Sequence, residues 1–192
     1  ASVEEMREDV GRQKQEAGSI LRELSKREKQ ACEELSQLKA GNKAYPKNLE
    51  NARAYIKRRL LEECRRSVEV HVLSDLLDIR NDEWRNAVEG YLAGSKLSLV
   101  VAPAYAKTAM EIYGELDRRE YWNVAVLDTE KASKAAPPIF ENALSKEVEV
   151  RENYLRPFID MLLGKVIKCR GIEELRKNRT GITPDCMLYR NY

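Results

Sequence analysis

The first forty residues carry a narrow apolar stripe on an otherwise charged background. With Val3 counted as position a of a seven-residue repeat, every a position is apolar, whereas among the d positions only Met6 and Ile20 are. A stripe this narrow is buried only against a second helix, so it predicts one strand of a coiled coil over residues 1–40. The seam residues are Val3, Met6, Val10, Ala17, Ile20, Leu24, Ala31 and Leu38.

A helix break and a second helix follow this arm. Gly41 suits a helix C-terminus and Pro46 cannot continue a helix, so the segment between them ends the arm. Residues 47–66 then predict a shorter helix with one apolar face. We place a connecting loop and this basic helix at 41–67. The basic face of the helix carries Lys57, Arg58, Arg59, Arg65 and Arg66.

Short strands and helices alternate over residues 68–192, which we expect to form a compact head. Strands are predicted at 68–72, 97–101, 122–127, 147–150, 165–169, 180–183 and 187–189. Helices are predicted at 81–92, 103–118, 129–136, 152–163 and 172–177, with an N-cap at Asn81-Asp82 and another at Asp128 or Thr129. The order of elements repeats, in residues 84–127 and 154–189. This order predicts an α+β head with two lobes, about 68–135 and 139–192.

Composition narrows the functional classes. The 192 residues suit one domain plus an arm, and their net charge of +2 gives no bulk electrostatic attraction to DNA or to a membrane surface. No apolar run reaches the roughly 18 residues of a membrane span, so we predict no membrane partner. The sequence lacks both an initiator Met and a signal-peptide pattern, and we expect a piece of a longer cytoplasmic protein.

The reactive side chains do not group into a recognisable active site. Four cysteines occur without a CxxC pair, and His71 is the one histidine, so neither a zinc site nor a nucleophile–histidine pair is predicted. Phosphate-binding glycine motifs are also absent from the sequence. We therefore predict no catalytic residue, no cofactor and no metal, and we expect an enzyme activity, if there is one, to lie outside this chain.

Residues 45–192 resemble the hinge domain of SMC-type proteins. In the first lobe the resemblance lies in AVEGYL (87–92), LSLVV (97–101) and the helix at 105–112. In the second it lies in LLGKVI (162–167), IEEL (172–175) and TGITPDCMLY (180–189). The MukB-like branch is the most similar, particularly the SMC-like ATPase of the Wadjet (Jet) anti-plasmid systems. The stretches that carry this finer similarity are VEVHVLSDLLDI (68–79), DEWRNAVEGYL (82–92) and ITPDCMLY (182–189).

The resemblance implies a long coiled-coil helix leading into a two-lobed, SMC-hinge-like head that forms a homodimer. It also implies a returning coiled-coil helix beyond residue 192, a distant ATPase, and action on DNA in plasmid defence or chromosome organisation, in the cytoplasm at the nucleoid. One departure affects the dimer contact. Cys186 stands where SMC hinges carry glycine, and no glycine pair follows it. The contact is therefore either built differently or cut away in part.

We expect exposed apolar residues of the second lobe to contribute to the self-contact, namely Tyr154, Phe158, Met187 and Tyr189. Two alternatives remain open at this point. The head binds DNA through the basic helix 47–66, or the chain is an unrelated small α/β domain that binds a ligand in a crevice. The simplest interpretation of the basic residues is a solvated face balanced by neighbouring glutamates.

Overall fold

The computed structural model describes the backbone of residues 3–39 and 45–191 and the side chains of 10–32, 35, 36 and 45–191. The chain divides into two compact units after Pro46. The first unit is helix α1, Val3–Lys39, as the apolar stripe predicted. Among the seam residues, Val10, Ile20 and Leu24 are 55–63% exposed, and Ala17 and Ala31 are also exposed. The side chains of Val3, Met6 and Leu38 lie outside the described part, and pairing along the seam stays a prediction.

Helix α2, Lys47–Cys64, belongs to the second compact unit, residues 47–192. Its apolar face, Leu49, Ala52, Ile56 and Leu60, is at most 3% exposed, because it packs against other elements of that unit. The helix ends two residues before the predicted 66, and Arg65 follows it with a left-handed φ of 51°. The segment predicted as a connection is therefore a core helix at this face.

Five short helices and seven strands follow α2 within the described residues. The helices are α3 (Arg85–Leu92), α4 (Ala106–Gly114), α5 (Thr129–Ser133), α6 (Arg156–Leu163) and α7 (Ile172–Lys177), several of them entered through a single 3₁₀ turn. The strands are β1 (His71–Val72), β2 (Leu77–Ile79), β3 (Leu99–Val100), β4 (Val148–Val150), β5 (Ile167–Lys168), β6 (Thr180–Ile182) and β7 (Leu188–Arg190).

Local capping signals located the helices well. The Asn81 side chain accepts a hydrogen bond from the Glu83 N–H, and the Asp128 side chain accepts one from the Lys131 N–H, as predicted for N-caps. Helix α7 has the predicted bounds. Helix α4 is shorter than predicted and ends at Gly114, because a turn that starts at Asp117 follows it.

The strands are shorter than the apolar runs that predicted them. Strands β1 and β3 pair antiparallel, and the predicted strand 122–127 reduces to one parallel bridge between Leu99 and Val126. In the second lobe, β5 and β6 are parallel and β7 adds antiparallel to β6. The sheets therefore have only two or three strands each, and most of their strands are edge strands.

The strand β2, which no pattern predicted, pairs antiparallel with β4, and the centre of this ladder is the pair Asp78 and Glu149. The elements on either side repeat in the same order, a 3₁₀ turn, a strand, a second 3₁₀ turn and a helix, over residues 73–92 and 144–163. The internal repeat thus begins about ten residues earlier than the predicted units at 84 and 154.

Matching contacts on both sides of this ladder relate the two repeats by a local twofold axis. The Arg80 N–H donates to the Glu147 carbonyl at 2.8 Å, and the Arg151 N–H donates to the Leu76 carbonyl at 2.9 Å. The side chains follow the same rule, since Arg80 pairs with Glu149 at 3.1 Å and Arg151 pairs with Asp78 at 2.9 Å. All four ionic side chains are exposed, so the backbone ladder contributes more than the ion pairs.

The two predicted lobes share one apolar core. Helices α3 and α6 both face it, and β4 enters it through Val148. Its buried members are Leu73, Leu76, Trp84, Ala87, Val88, Leu92, Val100, Ala132, Leu144, Val148, Leu155, Phe158, Ile159, Leu163, Val166 and Ile182. The division of the head into lobes stays a prediction, and we keep "first lobe" for residues 68–135 and "second lobe" for residues 139–192.

Gly164 ends helix α6 where the chain leaves no room for a side chain. A Cβ added there would overlap the Asp160 carbonyl oxygen and lie 3.1 Å from that of Pro138. Because both neighbours are backbone atoms, we expect Gly164→Ala to lower the free energy of unfolding by about 1–3 kcal/mol. The measurement is urea denaturation followed by circular dichroism.

Gly114, at the end of α4, is the matched control, since an added Cβ there meets nothing within 4 Å. We expect Gly114→Ala to leave stability unchanged or slightly raised. Equal effects of the two substitutions would contradict the close packing at Gly164.

Candidate self-association surface

The four residues predicted for the self-contact do not form one exposed patch. Phe158 is 8% exposed and belongs to the core, so the prediction that it is exposed is wrong. Tyr154 packs partly against the same core, and burial raises the pKa of its phenol. Met187 is 52% exposed and Tyr189 is half-buried, and both lie at β7. The contribution of these residues to a dimer stays a prediction.

Strand β7 presents an open edge. The Thr183 N–H donates to the Met187 carbonyl at 3.1 Å, and the Asn191 N–H donates to the Arg179 carbonyl at 2.8 Å. Residues 187, 189 and 191 therefore direct their backbone groups at β6, and alternation directs those of Leu188 and Arg190 outwards. Within residues 45–191 these outward groups have no hydrogen-bond partner. Leu188 is also 44% exposed.

The first lobe has an open edge at Val126. The Leu99 N–H donates to the Ala125 carbonyl at 2.7 Å, and the Leu127 N–H donates to the Leu99 carbonyl at 2.9 Å. In this parallel arrangement the N–H and C=O of Val126 point away from β3. They too make no hydrogen bond within the described head, and the Val126 side chain is only half-buried.

The internal repeat explains why one edge is covered and the other is open. Val126 bridges Leu99 in parallel as Gly181 pairs with Ile167, so Val126 and Gly181 hold equivalent positions. In the second lobe β7 then lies against β6. In the first lobe the chain instead turns into α5, which packs against α6. The first lobe therefore lacks the strand that covers the equivalent edge of the second.

The hairpin that ends in β7 rests on helix α3. The Arg190 guanidinium lies 5.6 Å from the centre of the Tyr91 ring and donates to its hydroxyl at 3.4 Å. The Cys186 thiol occupies the space that a side chain on Gly90 would need. Cys186 has a φ of 66°, in the left-handed region that favours glycine. This is the position at which SMC hinges were expected to carry glycine.

The predicted DNA-binding residues on α2 differ in how far their charge is already neutralised. Lys57 binds Glu69 at 2.9 Å, and Arg58 lies 3.9 Å from Glu62. Arg59 donates to Glu115 and to Glu63, which raises the pKa of Arg59, and the same bond lowers the pKa of Glu115.

Arg65 and Arg66, just beyond α2, are exposed and have no ion pair with any residue that the structure describes. This difference could not be predicted from sequence patterns, because the acceptors of Lys57 and Arg59 include Glu69 and Glu115, which are distant in the chain. DNA binding by the five basic residues stays a prediction.

The second-lobe cations divide in the same way. Lys168 binds Glu147 and Arg170 binds Glu83, and both cations lie about 5.5 Å from the Trp84 ring. The Arg170–Glu83 pair and the contacts of both cations with Trp84 join the two lobes. The exposed cations of the second lobe without an ion pair in the described part are Lys146, Lys165, Arg176, Lys177, Arg179 and Arg190.

The described residues form neither a metal centre nor a membrane-spanning helix. None of the groups of His, Cys, Asp and Glu in that part is arranged to hold a metal ion. Nor does any helix there combine the length and the apolar character needed to cross a bilayer.

The contrast between Phe158 and Met187 gives a direct test of which predicted residue is structural. We expect Phe158→Ala to lower the free energy of unfolding by about 3–5 kcal/mol, because it leaves a cavity in the shared core. Met187→Ala removes an exposed side chain and should change it by less than about 0.5 kcal/mol. Chemical denaturation of the two variants measures both, and a mild effect at Phe158 would contradict its place in the core.

Comparisons with known proteins find similar solved structures but no similar sequence family. No protein-family model and no curated protein matches the sequence. The SMC hinge domain of Geobacillus stearothermophilus, solved as an asymmetric dimer, is 18% identical with a TM-score of 0.53, covering 91% of this chain and 74% of that one. The Pyrococcus furiosus Smc hinge with an extended coiled coil is 17% identical with a TM-score of 0.52, covering 97% and 68%.

A second structure of the Pyrococcus furiosus hinge domain is 19% identical with a TM-score of 0.50 and covers 74% of this chain and 82% of its own. All of these neighbours combine low identity with a shared arrangement of helices and short strands. The chain therefore has the α+β fold of SMC hinge domains, with a long helix preceding the head.

Proposed function

We propose that this chain is the self-association module, or hinge, of a longer SMC-type protein. The observation that carries the proposal is the pair of open strand edges, one at Val126 and one at β7. Each edge has backbone N–H and C=O groups that a further strand could pair with, and no described segment of this head pairs with them. A second copy supplies both, because strand addition at an open edge is a common mode of protein association.

The two edges differ, so the joint pairs the first lobe of one copy with the second lobe of the other. The N–H and C=O of Val126 in one copy would hydrogen-bond to the outer groups of Leu188, of Arg190 or of both in its partner, and the same contact would recur on the opposite side. Two such contacts related by a twofold axis close into a dimer. The solved Geobacillus stearothermophilus hinge is an asymmetric dimer, which supports self-association of such a head and not the twofold geometry itself.

The role of the whole protein is a wider part of the proposal. Exposed seam residues on α1 suit pairing with a returning helix of the same protein. In that arrangement the joint holds two long arms whose ATPase ends act on one DNA, at the nucleoid in the cytoplasm. The stretches 68–92 and 182–189 favour the MukB-like branch and the Wadjet systems, and hence a role in plasmid defence or chromosome organisation.

Proline substitutions at the edges test the joint. The Val126 N–H makes no hydrogen bond within residues 45–191, so Val126→Pro removes an outward donor and no bond of the described head, and Leu188→Pro does the same on β7. We expect either change to raise the dimer dissociation constant about 100-fold or more, since each lost donor recurs on both sides of the dimer. Sedimentation of the whole chain measures it.

Two controls isolate the joint. Val126→Thr and Leu188→Thr keep the N–H and should leave the dimer intact. Ile20→Glu together with Leu24→Glu disables the seam on α1, and pairing through the head should survive it. A dimer that tolerates both prolines but dissociates with the seam variant would mean that the arm, and not the head, joins the copies.

DNA binding by the region around α2 is a second candidate function. Arg65 and Arg66 favour it, because these two exposed cations have no ion pair in the described part of the chain. Their charge is available to phosphates, whereas Lys57, Arg58 and Arg59 would first have to leave Glu69, Glu62 and Glu115. We therefore propose that Arg65 and Arg66 contribute most of any affinity from this helix.

The salt dependence of binding tests this candidate. Replacing both Arg65 and Arg66 by Gln should weaken binding to duplex DNA and reduce the slope of log K against log salt by about 1.8, or 0.9 for each lost phosphate contact. Arg176→Gln with Lys177→Gln removes the same charge from α7 and is the matched control. An equal loss in both variants, or binding that ignores salt, would contradict a DNA site at α2.

A further inference from the structure

Trp122 is the most exposed large apolar side chain among the described residues. It is 78% exposed, whereas the other tryptophan, Trp84, is 3% exposed in the core. An aromatic ring of this size in water forgoes a large favourable burial, and tryptophan is the residue type most enriched among the energetically dominant contacts of protein interfaces. The position of Trp122 therefore needs a reason other than packing within this chain.

Three hydrogen bonds hold the turn that carries Trp122 in place. The Val124 N–H donates to the Tyr121 carbonyl at 3.1 Å, which puts Trp122 at a central position of the turn. The Tyr113 hydroxyl donates to the Val124 carbonyl at 2.5 Å, and the Asn123 side chain is hydrogen-bonded to that of Asn48 on α2. A residue fixed before binding loses little conformational freedom when it is buried by a partner.

This turn leads directly into the open edge of the first lobe. Trp122 lies four residues before Val126. Val126 forms the parallel bridge with Leu99, through the hydrogen bonds of Ala125 and Leu127. A strand added at Val126 would therefore run past the base of the turn. We propose that Trp122 anchors the dimer by packing onto strand β7 of a second copy of this chain at that edge. The inference rests on the proposed function, and names the side chain that stabilises the joint.

Strand β7 and the residue before it offer the chemistry that an indole ring binds. At one end Met187 is 52% exposed, and its thioether suits the edge of an aromatic ring. At the other end Arg190 is exposed, and its guanidinium, already stacked on Tyr91, has a second face for another ring. If the two strands run parallel, Trp122 lies towards Met187. If they run antiparallel, it lies towards Arg190.

The first test is the dimer dissociation constant of the whole chain carrying Ile20→Glu and Leu24→Glu, so that the arm does not contribute. We expect Trp122→Ala to raise this constant about 30-fold or more, the effect of a dominant interface residue. Ile172→Ala, which truncates a 63% exposed side chain on α7, is the matched control and should change it less than about twofold. The melting temperature of the monomer should be unchanged in both.

Double-mutant cycles then identify the contact. Trp122→Ala is combined with Met187→Ala and, separately, with Arg190→Ala, and the coupling free energy of each pair is measured from the dimer constants. Coupling to Met187 supports the proposal with parallel strands, and coupling to Arg190 supports it with antiparallel strands. Coupling to neither residue would overturn it.

Fluorescence provides a readout that does not depend on a substitution in the interface. Because Trp84 is buried in either state, the difference between the parent chain and Trp122→Phe reports Trp122 alone. We expect its emission to shift to longer wavelength and its quenching by acrylamide to rise as the dimer is diluted. A signal that stays that of an exposed indole at all concentrations would overturn the proposal.

The failure of this inference is distinguishable from the failure of the proposed function. If Val126→Pro dissociates the dimer while Trp122→Ala behaves like Ile172→Ala, the edges join the copies and Trp122 is not the anchor. If neither substitution affects the dimer, both ideas are wrong. If Trp122 becomes exposed on dilution only when the seam on α1 is also disrupted, it packs against the arm, and the inference is overturned.

Discussion

The fold depends on one backbone ladder, in which β2 and β4 meet antiparallel about the pair Asp78 and Glu149. Because the two strands come from equivalent places in an internal repeat, the ladder also sets the local twofold axis that relates helices α3 and α6. Both helices then face a single core, and neither half buries its apolar face alone. The head is consequently one cooperative unit in which the lobes are stabilised by each other.

The candidate function arises where the two halves stop being equivalent. After its parallel strand the second lobe continues into β7, whereas the first lobe turns into α5. Because the lobes are equivalent up to that point, the segment at Val126 and strand β6 have the same kind of outer edge. Only the edge of β6 is paired with a further strand of the same chain, β7. A joint between unlike edges pairs each first lobe with a second lobe, whereas a joint between like edges would pair one lobe with its own copy about a twofold axis.

Sequence patterns predicted the features that depend on neighbouring residues and missed those that depend on distant ones. The caps at Asn81 and Asp128 and helix α7 follow from side chains within three or four positions. Strand β2 escaped prediction because three residues between 3₁₀ turns give almost no alternation, and its partner β4 lies far along the chain. Phe158 was misjudged since the apolar face of α6 holds Phe158, Ile159 and Leu163, whereas Met161 faces solvent.

The shortness of the open edges bears on how such a joint avoids unwanted pairing. Exposed strand edges promote aggregation, and proteins limit this with short strands and charged side chains. Here the edge at Val126 is one bridge long, and the edge of β7 contains Arg190. Backbone hydrogen bonds over so few residues give little net stability by themselves. A specific dimer built on these edges therefore needs side-chain contacts beside the ladder, and Trp122 next to Val126 is suited to provide one.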